Sequence, residues 1–300
     1  MWGVGFIGLG GMGRNMLDTM RQHGQFTPVI GFDPGVVNGL DIPIVSSIRE
    51  VCEHPDVQVV YIASPPRFHA EAVYACLRAG KAVFCEKPLA HDLTEAATLA
   101  RAVEDAGVRQ AVNFPFATHL ASHHLQHLVS SGALGEIREA RLHLRFASWP
   151  RPWQQGAASW LTGAQDGGYL REVGSHFLFL AQRILGPGEV VSSLLTRTAA
   201  GCEDTVQARI RFGDVMLTVD GAIAGDIDDD NALTFVGTQA TASLRNWGEC
   251  HFGNDVIESD DWHAGQLDAL DLLLAGQPTP LATFAEAAHV ASLVETILKG

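Results

Sequence analysis

The chain has 300 residues, about twice the size of a typical domain, so two domains are expected. Its formal net charge of −14 disfavours nucleic acid and anionic membranes as partners, and 47% hydrophobic against 18% charged residues excludes a disordered chain. Five scattered cysteines (Cys52, Cys76, Cys85, Cys202 and Cys250) have neither disulfide-framework density nor C-x-x-C spacing, the pattern of buried reduced thiols in a cytoplasmic protein.

In chain order, residues 4–7 read as a buried strand with no basic segment before it, hence not as a targeting sequence. A helix over 12–23 follows, then a strand over 28–32. A β-branched run over 57–63, a helix over 67–79 stopped by Gly80, a strand over 82–85 and a helix over 93–106 stopped by Gly107 continue the alternation. Strands separated by helices imply parallel βαβ units and a doubly wound sheet. The pattern changes near residues 114–116. After a helix over 118–130, alternating segments over 137–147, 190–198, 205–212, 215–222, 232–236 and 240–246 predict an antiparallel sheet with one covered face. Helical patterns over 169–185 and 284–298 accompany it. The expected fold is an α/β Rossmann domain over 1–116 followed by an α+β domain over 117–300 with a large open, mostly antiparallel sheet. No run of eighteen apolar residues occurs to span a bilayer.

Gly8-Leu9-Gly10-Gly11-Met12-Gly13 fits G-x-G-x-x-G, and it follows a strand and opens a helix, the context that gives the pattern meaning. Gly8 permits the tight turn, Gly10 the approach of a pyrophosphate, and Gly13 close helix–strand packing. Asp33, twenty residues past Gly13, ends the second strand. A carboxylate there accepts from ribose hydroxyls and repels a 2′-phosphate, and no Arg or Lys lies near in sequence, so NAD is favoured over NADP.

Ala63-Ser64-Pro65-Pro66-Arg67-Phe68-His69 ends one strand, and Gly80-Lys81-Ala82-Val83-Phe84-Cys85-Glu86-Lys87-Pro88-Leu89 ends the next on Glu-Lys-Pro. With the glycine turn, these segments resemble the glucose–fructose oxidoreductase and inositol dehydrogenase (Gfo/Idh/MocA) family. The resemblance continues through Ser131-Gly132-Ala133-Leu134-Gly135-Glu136-Ile137, through Gly167-Gly168-Tyr169-Leu170-Arg171-Glu172-Val173-Gly174-Ser175-His176 and at Phe235-Val236-Gly237-Thr238. It implies a Rossmann domain, an open-sheet domain and an active site between them. Departures fall at Pro66 (usually Asn), Ala82 (usually His), Glu172 (usually Asp) and Leu180 (often acidic). The cofactor surface expected from the motif and the resemblance comprises Gly8, Gly10, Gly11, Met12, Gly13, Asp33, Ser64, Pro65, His69, Glu86, Lys87 and Asn113.

Lys87, at the carboxyl end of a parallel strand, lies where such sheets bind ligands, and its ammonium suits a developing alkoxide. The resemblance gives it a catalytic role and implies a cis bond before Pro88. Glu172 and His176, four apart on the predicted helix, share a face with Phe179 and Arg183, while Val173, Phe177, Leu180 and Ile184 form an apolar stripe. His176 is suited to take a proton from a substrate hydroxyl. The catalytic set is therefore Lys87, His176 and Glu172.

Trp149, Trp153 and Trp160, with Arg151, either line a substrate mouth or anchor a hydrophobic loop. Trp153, Trp160 and Arg171 are the candidate substrate contacts. His119, His123, His124 and His127 lack a third metal ligand at suitable spacing and read as a solvated helix face. Asp226, Asp228, Asp229 and Asp230 lack a calcium-loop pattern and read as an acidic hairpin tip, so no metal is expected. The reading is an NAD(P)-dependent oxidoreductase that interconverts a secondary alcohol and a ketone on a sugar-like or cyclitol-like small molecule. Its rivals are reduction of a C=C or C=N bond and a silent NAD(H)-binding sensor. A homodimer or homotetramer through the open sheet is expected, since such faces are commonly covered by a partner.

Overall fold

A computed structural model describes residues 1–35, 38–90, 92–259 and 262–300. By its contacts the chain divides into two units, Met1–Pro115 with Asp261–Ala288, and Phe116–Asp260 with His289–Gly300.

The first unit is built on a parallel sheet of β1 (Trp2–Ile7), β2 (Phe26–Phe32), β3 (Val59–Ile62), β4 (Ala82–Glu86) and β5 (Gln110–Asn113), in the order β2-β1-β3-β4-β5. Helices α1 (Gly11–His23), α2 (Ile48–Glu53), α3 (His69–Arg78) and α4 (Leu93–Ala106) make the crossovers. All four residues of β3 are buried, as expected of a strand covered on both faces. The chain winds from β1 to β2 on one side and then to β3 on the other. The carboxyl ends of β1 and β3 therefore flank the switch point at which such sheets bind ligands. Helix ends follow local chemistry: Asp92 accepts from the amides of Thr94 and Glu95 to start α4, and Gly107 ends it in the left-handed region.

The second unit begins with α5 (Leu120–Ser130) and carries an eight-stranded sheet. Between β6 (Ile137–Phe146) and the remaining strands lie α6 (Ala158–Leu161), a π-helical turn over Leu170–Gly174, and α7 (Ser175–Leu185). Then come β7 (Gly188–Arg197), β8 (Glu203–Phe212), β9 (Val215–Ile223), β10 (Asp230–Gly237), β11 (Thr241–Arg245), β12 (Glu249–Phe252) and β13 (Asp255–Glu258). The order is β13-β12-β11-β10-β6-β9-β8-β7. Leu142, Leu144, Phe146, Val206, Ile210, Leu217, Leu233 and Phe235 are buried on one face, whereas Arg141, Gln207, Arg209 and Thr218 are exposed. That alternation is the signature of a sheet covered on one side.

The chain ends with α8 (Trp262–Leu274) and α9 (Phe284–Lys299). Leu267, Leu270 and Leu274 of α8 share a core with Met16, Leu17 and Met20 of α1, which is why 261–288 groups with the first unit although it follows the second in sequence.

Several expectations are corrected. Strands β9 and β10 are not a hairpin: β6 lies between them and pairs in parallel with β9, so Asp226 to Asp230 lie at a crossover. The helix expected from Tyr169 is a π-turn until Gly174 and α-helical from Ser175. His119 is buried and its Nδ1 lies 3.2 Å from the Trp247 carbonyl, so it does not belong to a solvated face, whereas His123 and His127 are exposed. No helix among the described residues is long and apolar enough to cross a membrane.

Candidate active site

In the first unit the glycine turn joins β1 to α1. Gly8 has φ +90°, and a Cβ there would lie 2.5 Å from Ser64 N. A Cβ on Gly13 would lie 2.1 Å from the Gly8 carbonyl oxygen, so α1 can pack this close only on glycine. At Gly10 and Gly11, by contrast, a Cβ would meet nothing within 4 Å. The turn is therefore tight on the protein side and open on the other. No side chain caps α1 and its first turn carries no acidic residue, so its electropositive end is left to an anion. Asp33 accepts from Leu9 N at 2.7 Å and from Gly35 N at 2.8 Å, which fixes its carboxylate beside the turn. These features fit the pyrophosphate and ribose of a dinucleotide.

The other expected cofactor residues sit at the ends of β3, β4 and β5. Ser64 Oγ is buried and has no partner among the described residues. His69 is wholly buried, with Nε2 2.7 Å from the Ser64 carbonyl and Nδ1 3.2 Å from that of Leu89. Burial pulls its pKa below the ordinary value, against the backbone carbonyl contacts that raise it. It lies between the Ser64-Pro65 turn and the turn after Lys87, with no exposed surface. Glu86 is also buried, and its Oε1 accepts from Tyr61 Oη at 2.5 Å and Asn113 Nδ2 at 2.7 Å. Burial raises the Glu86 pKa, while those donors and the Lys87 charge pull it back. Asn113 is 2% exposed, and its Oδ1 has no partner among the described residues. Lys87 is half-buried, and the bond to Pro88 is cis.

In the second unit His176 is buried at the start of α7, with Trp247 and Phe116 edge-on at 5.2 and 6.0 Å between ring centroids. Trp247 lies in the β11–β12 turn at φ +69°. Its ring is 5.9 Å from the Arg151 guanidinium, which also lies over Trp153 at 4.6 Å and Trp149 at 5.7 Å. Arg151 is 4% exposed. It donates to both Asp229 oxygens at 3.1 Å and to Gln154 Oε1 at 2.8 Å, and lies 3.8 Å from Glu172 Oε1. Gln154 Nε2 donates to the same Glu172 oxygen at 3.1 Å. Glu172 is thus held by a neighbouring loop as well as sharing a helix with His176.

Arg171, expected to contact substrate, is committed elsewhere. Its Nε and Nη2 bind Glu295 at 2.5 and 2.9 Å, and Nη1 donates to the Gly167 and Ala164 carbonyls. Trp149 is anchored against Phe146 and Tyr169, whereas Trp153 and Trp160 are 71% and 39% exposed. The sequence pattern did not reveal Trp247, Gln154 or Asp229 as members of this cluster. Among the described residues no group of His, Cys, Asp or Glu could hold a metal ion.

Residues 2–114 match the family described as an oxidoreductase family with an NAD-binding Rossmann fold, and residues 122–243 match the GFO/IDH/MocA C-terminal domain. Trans-1,2-dihydrobenzene-1,2-diol dehydrogenase of Macaca fascicularis is 29% identical over 69% of this chain and 60% of its own. The 1,5-anhydro-D-fructose reductase of Ensifer adhaerens is 28% identical over 70% of this chain and 62% of its own. The match thus spans about three-fifths of these relatives. The fold is shared with the WlbA dehydrogenase of Bordetella pertussis, solved with NADH and UDP-GlcNAcA, at TM-score 0.84 and 20% identity over 99% of this chain and 94% of that one. The chain belongs to the Gfo/Idh/MocA family of NAD-binding oxidoreductases.

Proposed function

We propose that the protein is an NAD-dependent dehydrogenase that interconverts a secondary alcohol and a ketone on a neutral, sugar-like, cyclitol-like or dihydrodiol ring. The observation that carries this reading is the glycine turn, closed against the protein at Gly8 and Gly13 and open at Gly10 and Gly11, on the strand edge that also holds Asp33 and Lys87. Gly10, Gly11, Met12 and Gly13 would hold the pyrophosphate, Asp33 the adenosine ribose, and Ser64-Pro65 and the backbone of Glu86-Lys87 the remainder. When bound, the nicotinamide supplies the hydride acceptor or donor.

Lys87 and His176 handle the proton. The Lys87 ammonium stabilises the alkoxide, and His176 takes the hydroxyl proton in oxidation or returns it in reduction. Glu172, fixed by Gln154 and Arg151, orients the substrate hydroxyls. Arg151 already faces two carboxylates, so it offers little to an anionic substrate. Trp153 leaves most of its surface to solvent for an apolar ring face. Relatives that act on a dihydrodiol and on a sugar support this class. A homodimer or homotetramer through the exposed face of the eight-stranded sheet belongs to the same reading. That face carries Arg141, Gln207, Arg209 and Thr218, so polar contacts would hold it.

Two outcomes are expected. A panel of neutral cyclic vicinal diols, their carboxylated counterparts and unsaturated ketones and imines, assayed by nicotinamide absorbance, gives oxidation of the neutral diols with NAD; turnover confined to the C=C or C=N substrates overturns the alcohol–ketone reading. Asp33→Ala weakens NADH binding roughly tenfold and narrows the preference over NADPH, because one or two charge-assisted hydrogen bonds and a repulsion are lost together. Unchanged affinities for both cofactors, measured by fluorescence titration, remove Asp33 from ribose recognition.

A further inference from the structure

Helices α2 and α3 place two thiols against each other: Cys52 Sγ lies 3.6 Å from Cys76 Sγ. The two cysteines are 24 residues apart, both are buried, and neither serves the chemistry above. From this geometry we infer that Cys52 and Cys76 are an oxidation site, a dithiol that a peroxide converts into an intramolecular disulfide joining α2 to α3.

Access follows from the attachment of α2. The helix has six residues, of which only Val51 and Cys52 are buried, and it ends in the exposed segment around Pro55 and Asp56. Opening it forfeits few apolar contacts, so Cys52 is reached by local opening and not by global unfolding. The surroundings favour the thiolate. Lys81 Nζ donates to the His54 and Val57 carbonyls just beyond the helix. The hydrogen bond with Cys76 lowers the Cys52 pKa, with further help from the Arg78 and Lys81 charges, against burial and the Glu53 charge. Cys52, on the helix that opens, is the attacking sulfur and Cys76 the resolving one.

The step balances with hydrogen peroxide as oxidant. The Cys52 thiolate attacks one peroxide oxygen, forming a sulfenic acid and, after protonation, one water. The Cys76 sulfur then displaces the sulfenic hydroxyl, which leaves as a second water as the S–S bond forms. Two thiols lose two electrons and two protons, and one peroxide becomes two waters. Cys76 lies seven residues along α3 from His69, about 10 Å of helix, so the staple forms away from the cofactor edge.

The test is a non-reducing peptide map of the full chain after brief exposure to dilute hydrogen peroxide, with free thiols alkylated in denaturant. The expected product is a linked Cys52–Cys76 peptide pair, lost in Cys52→Ala and in Cys76→Ala, regenerated to free thiols by dithiothreitol, and accompanied by a Tm rise of roughly 5 °C as the closed loop restrains the unfolded chain. Recovery of both cysteines as alkylated thiols overturns the inference. So does sulfinic acid at Cys52 without linkage, or linkage of either cysteine to another partner. The map of the wild-type chain decides even if a variant fails to fold.

Discussion

Lys87→Met lowers turnover by about a hundredfold or more and leaves the Kd for NADH within about twofold of wild type. Methionine keeps the length and apolar stem of lysine and removes the ammonium. Losing a positioned proton donor costs about two to four orders of magnitude. A hundredfold corresponds to about 2.7 kcal/mol of lost transition-state stabilisation. The backbone around Lys87 rests on contacts the substitution does not touch. Glu86 keeps its bonds to Tyr61 and Asn113, and His69 stays packed between the Ser64 and Leu89 carbonyls. Binding and turnover should therefore separate. Steady-state kinetics with a parallel NADH titration checks this, and equal losses in both would mean that Lys87 holds cofactor without handling the proton.

Gly168→Ala destabilises the protein by about 3 kcal/mol, from a strained backbone added to steric overlap. Gly168 has φ +102°, and a Cβ there would lie 2.0 Å from Glu203 Oε2 and 2.6 Å from its carboxyl carbon. The carboxyl group has nowhere to go. Glu203 is fully buried, and its Oε1 accepts the Leu170 amide at 2.6 Å, where the π-turn leading to Glu172 and His176 begins. Burial already raises the Glu203 pKa, with the Leu170 hydrogen bond pulling the other way. Displacing this carboxyl removes the partner that fixes the start of the turn. Gly213→Ala is the control: its φ is +56°, but a Cβ would meet nothing within 4 Å, so the cost is about 1 kcal/mol. Urea midpoints at constant slope measure both. Equal losses would show that only backbone conformation matters at Gly168.

Segments governed by local chemistry were legible in the sequence. Helix α4 spans the expected 93–106 and ends at Gly107 as expected, and the strand–glycine–helix unit around Gly8 needs only neighbouring residues to form. Helix α8 was not, because its leucines carry weak periodicity and their partners on α1 lie about 250 residues earlier. The π-turn at Leu170 was also hidden, since its anchors are Glu203 and Glu295, far along the chain. Lys87, His176 and Glu172 are singled out by motif positions alone, and their roles stand as proposals. Trp247 was not: Asn246-Trp247-Gly248 signals a turn, and nothing local says that the indole reaches both His176 and Arg151. Arg171 shows the converse, a motif-adjacent arginine whose guanidinium is bound by a distant glutamate.

In the proposed activity this chain moves a hydride between a nicotinamide and a ring carbon. The most direct measurement supplies NADH deuterated at the transferring carbon together with a neutral cyclic hydroxyketone, and reads the product by mass spectrometry. The expected result is one deuterium on the new carbinol carbon with the wild-type chain and at least a hundredfold less in the same time with Lys87→Met. Saturable NADH binding with no deuterium delivered to any ketone of the panel would contradict the account and leave a nucleotide-binding protein without turnover.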